Sequence, residues 1–155
     1  MRAEGCVLVL RRNSYKAVEV LIIEDNPGDV RLLEEAFREL ETDVHLQVAR
    51  DGAEGLQMVL DAVNAQAAWH PDLILLDLNL PKVSGHDVLA RLKANPQTMR
   101  IPVIVLTSSR AESDVRRAYD SHANAYLKKP STLDGLLSAA RDLSNFWMKA
   151  ATLPG

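Results

Sequence analysis

The chain has 155 residues and a net charge of −3, and 47% of its residues are hydrophobic while 25% are charged. This length fits one globular domain with a sizeable core, and the lack of a basic surface or a run of Lys and Arg disfavours nucleic-acid binding. The one cysteine excludes an internal disulfide and a cysteine-based zinc site. No hydrophobic run approaches the ~18 residues of a membrane span, so we expect a cytoplasmic protein with no membrane partner.

The N-terminal residues differ from the rest of the chain. Residues 1–17 carry four basic side chains and one acidic side chain, whereas the net charge of the whole chain is negative. We expect them to form an N-terminal extension, either flexible or partly docked. The alternation of strand-like and helix-like segments then predicts a domain over residues 18–150 and a C-terminal tail over residues 151–155.

The first predicted strand is the β-branched run Val18–Ile23, and it ends abruptly at Glu24 and Asp25. Asn26 followed by Pro27 is typical of a helix start, because an asparagine side chain can cap the helix and proline fits its first position. Two interpretations of the adjacent acids remain open. Either they favour the positive end of the helix dipole, or a bound cation relieves their mutual repulsion.

The central strand is predicted at Leu73–Leu76, after a second strand at residues 44–48 and a helix that follows the turn at Asp51 and Gly52. Four consecutive hydrophobic residues indicate a strand that is covered on both faces, as in a parallel sheet coated by helices. Asp77 follows this strand directly. Because ligands bind at the C-terminal ends of the strands in an open α/β sheet, Asp77 is either a site residue or an ordinary acid that ends the strand.

The second half of the chain repeats the same alternation. A third helix precedes a buried strand at residues 101–106, which ends in Thr107. A fourth helix then leads to a short strand at residues 125–127, which is followed closely by Lys129. The last predicted helix covers residues 132–150.

Five strands that alternate with five helices predict a three-layer, doubly wound α/β domain with right-handed crossovers. An acyl phosphate with a divalent cation needs carboxylates that hold the cation through oxygen, and a hydroxyl and an ammonium that meet the phosphoryl oxygens. The strand ends deliver this combination to one rim of the sheet, through Glu24, Asp25, Asp77, Thr107 and Lys129.

Taken in order, these motifs resemble the response-regulator receiver domains of two-component signalling over roughly residues 18–148. The resemblance implies a flavodoxin-like fold whose five parallel strands lie in the order 2-1-3-4-5. It rests on the segments Ile23-Glu24-Asp25, Leu76-Asp77-Leu78-Asn79-Leu80-Pro81, Gly85, Leu106-Thr107-Ser108 and Tyr126-Leu127-Lys128-Lys129-Pro130.

The resemblance also implies a role for each residue at the rim. Asp77 would be the phosphoacceptor, attacking a phosphohistidine on a partner sensor histidine kinase, and Lys129 would pair with the phosphate. Asp25 and Asp77 would ligate Mg²⁺, with the backbone carbonyl of Asn79 as a third ligand. Glu24 would act mainly through water. Receiver domains more usually have aspartate at the position of Glu24, and we expect this difference to affect the affinity for the metal.

Two of these residues would form a switch. In receiver domains the hydroxyl at the position of Thr107 meets the phosphate, and the aromatic at the position of Tyr126 turns inward when that hydroxyl moves. Asn79 and Ser109 occupy the two positions that tune the lifetime of the phosphoryl group in this family. The alternative interpretation of Tyr126 is a strand tyrosine that is half-buried by ordinary packing.

The end of the last helix carries three large hydrophobic residues, Phe146, Trp147 and Met148. One helix face can bury only some of them, so they either form an interface or fold back on their own domain. This ending is similar to that of stand-alone response regulators that partner phytochrome kinases and commonly form homodimers through the last helix. The resemblance therefore implies a phytochrome-type kinase as the partner and a homodimer as the assembly. The predicted core stripe of the same helix is Leu133, Leu136, Leu137, Ala140 and Leu143.

Three functions compete at this point. The preferred one is a non-enzymatic, single-domain response regulator that changes its protein contacts on phosphorylation, or that passes the phosphate to a histidine phosphotransfer protein as a phosphorelay intermediate. An aspartyl-phosphatase-type enzyme would need a second carboxylate two residues after Asp77, where this chain has Asn79. A phosphorylation-independent scaffold would not need the acceptor, the metal-binding acid, the hydroxyl and the lysine, all of which are present.

Overall fold

A computed structural model of the chain describes residues 17–40, 43–65 and 69–154. Most of the predicted N-terminal extension, residues 1–16, lies outside the described residues. The strands are β1 (Val18–Ile23), β2 (Val44–Ala49), β3 (Leu73–Leu76), β4 (Val103–Thr107) and β5 (Ala125–Lys128). They form one parallel sheet in the order β2-β1-β3-β4-β5, which confirms the predicted order.

The helices lie between the strands and after the last of them. They are α1 (Pro27–Glu39), α2 (Gly52–Asn64), α3 (Gly85–Ala94), α4 (Glu112–Asp120) and α5 (Leu133–Leu143). As predicted, Asn26 caps α1, and its side chain accepts hydrogen bonds from the backbone of Gly28 and Asp29. Within the described ranges, none of the helices is long and hydrophobic enough to cross a bilayer.

The sheet separates two hydrophobic clusters, which makes the domain three layers thick. Ile74 and Leu76 of β3 pack with α2 and α3 on one face, and Leu73 and Leu75 pack with α1 and α5 on the other. All four side chains are fully buried, as the unbroken hydrophobic run predicted. Because burying each one contributes ~2 kcal/mol, the strand that carries Asp77 is anchored from both sides.

The register of the strands brings their C-terminal ends to one rim. Ile23 of β1 lies beside Ala49 of β2 and Leu76 of β3. Toward the opposite edge of the sheet, Thr107 of β4 lies beside Lys128 of β5. The residues that follow these positions therefore converge at the same edge of the sheet.

One strand begins later than predicted. β4 starts at Val103 rather than at Ile101. Pro102 has no backbone N–H to contribute to the sheet, and only its carbonyl takes part, by accepting a hydrogen bond from Ile74. Ile101 packs instead as a partly buried residue at the edge of the core.

The last helix is not a continuous α-helix. It changes after α5 into a π-helix over Ser144–Ala150. The wider turn of a π-helix rotates the side chains that follow away from an α-helical stripe. Leu133, which we predicted in the core stripe, is 47% exposed at the start of α5, whereas the stripe is buried further along at Leu136, Ala140 and Leu143.

Candidate functional site

Three carboxylates converge at the C-terminal ends of β1 and β3. Glu24 and Asp25 follow β1, and Asp77 follows β3, where its backbone N–H donates to the carbonyl of Ile23. One carboxylate oxygen of each acid lies within 4.8 Å of those of the other two. Glu24 and Asp77 are 2% and 6% exposed, whereas Asp25 is exposed to solvent. The three acids therefore fit a hard divalent cation that can be reached from one side.

Lys129 brings a positive charge to these acids from the end of β5. Its ammonium contacts Glu24 directly, and it lies 2.9 Å from Asp29 Oδ2 and 3.2 Å from Asp77 Oδ2. Its backbone N–H donates to the carbonyl of Thr107 at 2.8 Å. The backbone thus fixes the start of the side chain, and three acidic side chains contact its ammonium group.

Burial and hydrogen bonding decide which of the two inner carboxylates is charged. Burial and the neighbouring Asp77 raise the pKa of Glu24 to about 8, although the hydrogen bond with Lys129 opposes this shift. Burial alone would also raise the pKa of Asp77. Hydrogen bonds with Glu24 and Thr107, together with the charge of Lys129, outweigh burial and lower the pKa of Asp77. The proton of the pair therefore rests on Glu24 near neutral pH, and Asp77 is ionised.

Two contacts of this cluster were not predicted from the sequence. Glu24 contacts Lys129 directly, because a carboxyl group so deeply buried needs a partner within the protein, while its expected role toward the metal, mainly through water, stays a prediction. Asp29 was not predicted, yet it is a further partner of Lys129. The sequence feature that could have indicated Asp29 is its place as an acid in the first turn of α1, a helix that starts at the rim.

The predicted hydroxyl and the predicted loop residue also lie beside Asp77. Thr107 is buried, and its hydroxyl donates to the Asp77 carboxylate. The backbone N–H of Asn79 donates to Asp77 Oδ1 at 3.3 Å. The structure therefore brings both residues to the acceptor, while the ligand role of the Asn79 carbonyl stays a prediction.

Tyr126 is half-buried on β5 and packs against the hydrophobic cluster beneath α3. Its hydroxyl donates to the backbone carbonyl of Ser109 at 3.0 Å. The Ser109 side chain contacts Asp114, which contacts His86 in turn. His86 and Asp114 did not stand out in the sequence, because they are 28 positions apart and only the fold brings them together. The inward turn of Tyr126 stays a prediction.

The three hydrophobic residues at the end of the last helix behave differently from one another. Trp147 and Met148 are half-buried and pack against the cluster formed with α1 and α5. Phe146 is 57% exposed and meets Trp147 edge to face, with ring centroids 5.1 Å apart. Trp147 and Met148 thus fold back on their own domain, which leaves Phe146 exposed.

A groove of about 430 Å³ opens beside Lys129. It runs between α1 and the start of α5, and both hydrophobic and polar side chains line it, among them Leu33, Ser108, Arg110 and Leu133. Asp29 and Lys129 also line this groove, so it borders the acidic cluster.

Comparison with known proteins identifies the family. Residues 20–141 match the response regulator receiver domain. The response regulator Rcp1 of Synechocystis sp. is 40% identical over 135 residues, which cover 87% of this chain and 92% of Rcp1.

Two solved structures share the fold along nearly their whole length. The phosphorylated cyanobacterial phytochrome response regulator RcpA is 38% identical, with a TM-score of 0.84, and the alignment covers 90% of this chain and 100% of RcpA. The Mn²⁺-bound form of Rcp1 is 39% identical, with a TM-score of 0.82, and the alignment covers 89% of this chain and 99% of that one.

The matched family has general properties that bear on the acidic cluster. Receiver domains are generally non-enzymatic signalling proteins that sensor histidine kinases phosphorylate, and they bind a divalent metal at an acidic pocket. The acidic cluster at the rim agrees with this pattern. The chain belongs to the response regulator receiver domain family of two-component signalling, and it is related to the phytochrome response regulators within that family.

Proposed function

We propose that Asp77 accepts a phosphoryl group from the phosphohistidine of a sensor histidine kinase, and that this kinase is of the phytochrome type. The observation that carries the chemistry is an ionised Asp77 at the rim, in contact with Lys129 and Thr107. The similarity to Rcp1 and to RcpA, a cyanobacterial phytochrome response regulator, supports the type of kinase.

The proposed cation is Mg²⁺. Asp25 and Asp77 would hold it together with the backbone carbonyl of Asn79, and Glu24 would complete the acidic surroundings. Their carboxylate oxygens lie within 4.8 Å of one another, and Mg²⁺ is usually bound through one or two carboxylates plus phosphate. When bound, Mg²⁺ neutralises the charge on the oxygens of the transferring group.

The side chains of the chain carry the transfer itself. The ionised oxygen of Asp77 attacks phosphorus, the bond from phosphorus to the histidine nitrogen breaks, and its electron pair stays on that nitrogen. Lys129 and Thr107 meet the phosphoryl oxygens, where an ammonium and a hydroxyl stabilise the negative charge of the transition state. Because Lys129 already lies 3.2 Å from Asp77, it needs only to exchange partners.

The proposed output is a change in protein contacts. Phosphorylation adds negative charge beside Thr107. In the unphosphorylated chain the Thr107 hydroxyl donates to Asp77, and after phosphorylation it would turn to the phosphate. Thr107 accepts a hydrogen bond from the Ser109 backbone, and Ser109 accepts one from Tyr126. A movement of Thr107 therefore reaches Tyr126 and the surface around β5 through two hydrogen bonds.

We further propose a homodimer through the last helix. The exposed ring of Phe146 extends the packed Trp147, so a second copy that covered it would continue an existing hydrophobic surface. Sedimentation velocity of Phe146→Ser tests this proposal. We expect a smaller dimer fraction than in the native chain at equal concentration, and an unchanged dimer fraction would contradict an interface at this helix.

Incubation with acetyl phosphate and Mg²⁺, followed by intact-mass measurement, tests the proposed function. We expect an adduct of one phosphoryl group on the native chain and none on Asp77→Asn, which lacks the nucleophilic oxygen but keeps the shape. Steady release of inorganic phosphate without an adduct would indicate an aspartyl-phosphatase-type enzyme. Neither adduct nor release would indicate a scaffold. Onward transfer to a histidine phosphotransfer protein would identify a phosphorelay intermediate.

Binding of Mg²⁺ is expected to release a proton. Because the pKa of Glu24 is raised to about 8, its carboxyl group is largely protonated at pH 7, and a cation bound to the acids displaces that proton. Mg²⁺ affinity should therefore rise between about pH 6 and pH 9, and the binding enthalpy at pH 7 should depend on the ionisation enthalpy of the buffer. In Glu24→Gln, calorimetry should give the same enthalpy in every buffer. Equal proton release by both proteins would show that the proton comes from another group.

A further inference from the structure

A chain of side-chain contacts links α3, α4 and the loop between β4 and α4. Nε2 of His86 lies 2.9 Å from Asp114 Oδ1, and because a carboxylate can only accept, Nε2 is the donor. The other oxygen of Asp114 accepts from the Ser109 hydroxyl at 2.5 Å. Two helices and the loop that follows Thr107 are thus tied together by one carboxylate.

These contacts close into a ring around the acceptor. The Ser109 N–H donates to the Thr107 hydroxyl oxygen at 3.4 Å, and the Thr107 hydroxyl donates to Asp77. On the other side, Gly85 donates its N–H to the carbonyl of the residue after Asp77 at 2.9 Å. Since His86 follows Gly85 in the chain, the contacts run from His86 through Asp114, Ser109 and Thr107 to Asp77. They return to His86 through Leu78 and Gly85.

The buried imidazole of His86 makes one side-chain hydrogen bond in the described part of the chain, the one to Asp114. His86 is 7% exposed, and its Nδ1 is buried with no hydrogen-bond partner among the residues that the structure describes. An unpartnered buried polar atom destabilises a fold, and a leucine at this position would avoid that loss. Hydrogen bonds from Ser109 and His86 lower the pKa of Asp114, so the carboxylate that joins them is ionised at neutral pH.

We propose that His86 and Asp114 are positioning residues for phosphoryl transfer. They hold Ser109, and through it the loop that presents the Thr107 hydroxyl to the phosphoryl oxygens. The inference rests on the proposed function, because it gives both residues a part in the same reaction. Phosphorylation of Asp77 and hydrolysis of the acyl phosphate both use the Thr107 donor, so loosening the ring slows both steps.

Two rates test this proposal, namely phosphorylation by acetyl phosphate with Mg²⁺ and hydrolysis after the donor is removed. We expect His86→Leu and Asp114→Asn each to slow both rates about five-fold, the effect of roughly one hydrogen bond, with unchanged Mg²⁺ affinity. Ser109→Ala should have the same effect. The double variant Ser109→Ala with Asp114→Asn should be no slower than either single variant, because both changes break one ring.

Two further variants separate positioning from general structure. Ser109→Thr keeps the hydroxyl and should retain most of both native rates. Glu112→Gln removes an exposed acid that pairs with the exposed Arg116 on the same helix as Asp114, and it should change neither rate. If Ser109→Thr were as slow as Ser109→Ala, the hydroxyl contact would not be the cause and the proposal would fail.

Unchanged rates in His86→Leu and Asp114→Asn would overturn the proposal, as would fully additive effects in the double variant. Urea unfolding checks that each variant is folded. If either of these two variants fails to fold, Ser109→Ala and Ser109→Thr decide the outcome, since Ser109 lies in a loop and is half-buried. A native chain that takes up no phosphoryl group would overturn the proposed function itself, and this inference with it.

Discussion

Lys129→Met is expected to slow phosphorylation of Asp77 about 100-fold while raising the affinity for Mg²⁺. Burial alone would lower the pKa of Lys129, but hydrogen bonds with Glu24 and Asp29 raise it, so the side chain is a full positive charge at the rim. Methionine keeps the length and loses this charge. The phosphoryl oxygens then lose a charged donor, whereas the cation loses a competitor for the same carboxylates.

Initial rates with acetyl phosphate at saturating Mg²⁺, together with calorimetric titration, measure the two effects. Lys128→Met is the matched control, because Lys128 is the adjacent residue but is exposed, and it should change neither quantity. Without Mg²⁺ we also expect Lys129→Met to lower the free energy of unfolding by about 3 kcal/mol, since the buried Asp77 carboxylate and the buried carboxyl group of Glu24 lose their partner. Phosphorylation at the native rate would contradict the role of Lys129.

Gly85→Ala is expected to lower the free energy of unfolding by about 3 kcal/mol and to slow phosphorylation as well. A Cβ at Gly85 would lie 2.1 Å from the carbonyl oxygen of Asp77 and 2.5 Å from the Cα of Leu78. Both are backbone atoms, so the contact cannot be relieved by turning a side chain. The loop after β3 must shift, and Asp77 shifts with it.

Gly28→Ala provides the comparison for this effect. A Cβ at Gly28 would meet the Oδ1 atom of Asn26 at 3.2 Å, and Asn26 can move because this atom belongs to a side chain. We expect a change of less than ~1 kcal/mol in urea unfolding and a native rate of phosphorylation. If Gly85→Ala were as stable as Gly28→Ala, close packing of Gly85 on the acceptor loop would not be a constraint on the fold.

Sequence patterns were sufficient for the fold and for the meeting of the strand ends. The run Leu73–Leu76 predicted a strand buried on both faces, and a parallel sheet then brings the residue after each strand to one rim. Glu24, Asp77 and Lys129 could therefore be placed together although 105 positions separate the first from the last. Their meeting depends only on strand order and direction, which local patterns and the family resemblance supply.

Contacts made by side chains on the helices could not be predicted in the same way. The pairing of Lys129 with Asp29, and of His86 with Asp114, depends on how far each helix is rotated and where it crosses the sheet. Sequence periodicity gives a helix a buried face but not its exact placement. The change to a π-helix after Leu143 was not predicted either, because the last helix was expected to keep the regular α-helical period of 3.6 residues along its whole length.

A crystal structure of the chain with Mg²⁺ and the phosphoryl mimic beryllium trifluoride tests most directly whether these side chains share one cation. We expect oxygen ligands from Asp25 and Asp77 at about 2.1 Å from Mg²⁺, and the mimic on Asp77. We also expect Lys129 Nζ and the Thr107 hydroxyl within hydrogen-bond distance of the mimic. A cation bound away from Asp77, or a Lys129 that stays on Glu24 and does not reach the mimic, would contradict a shared cation site.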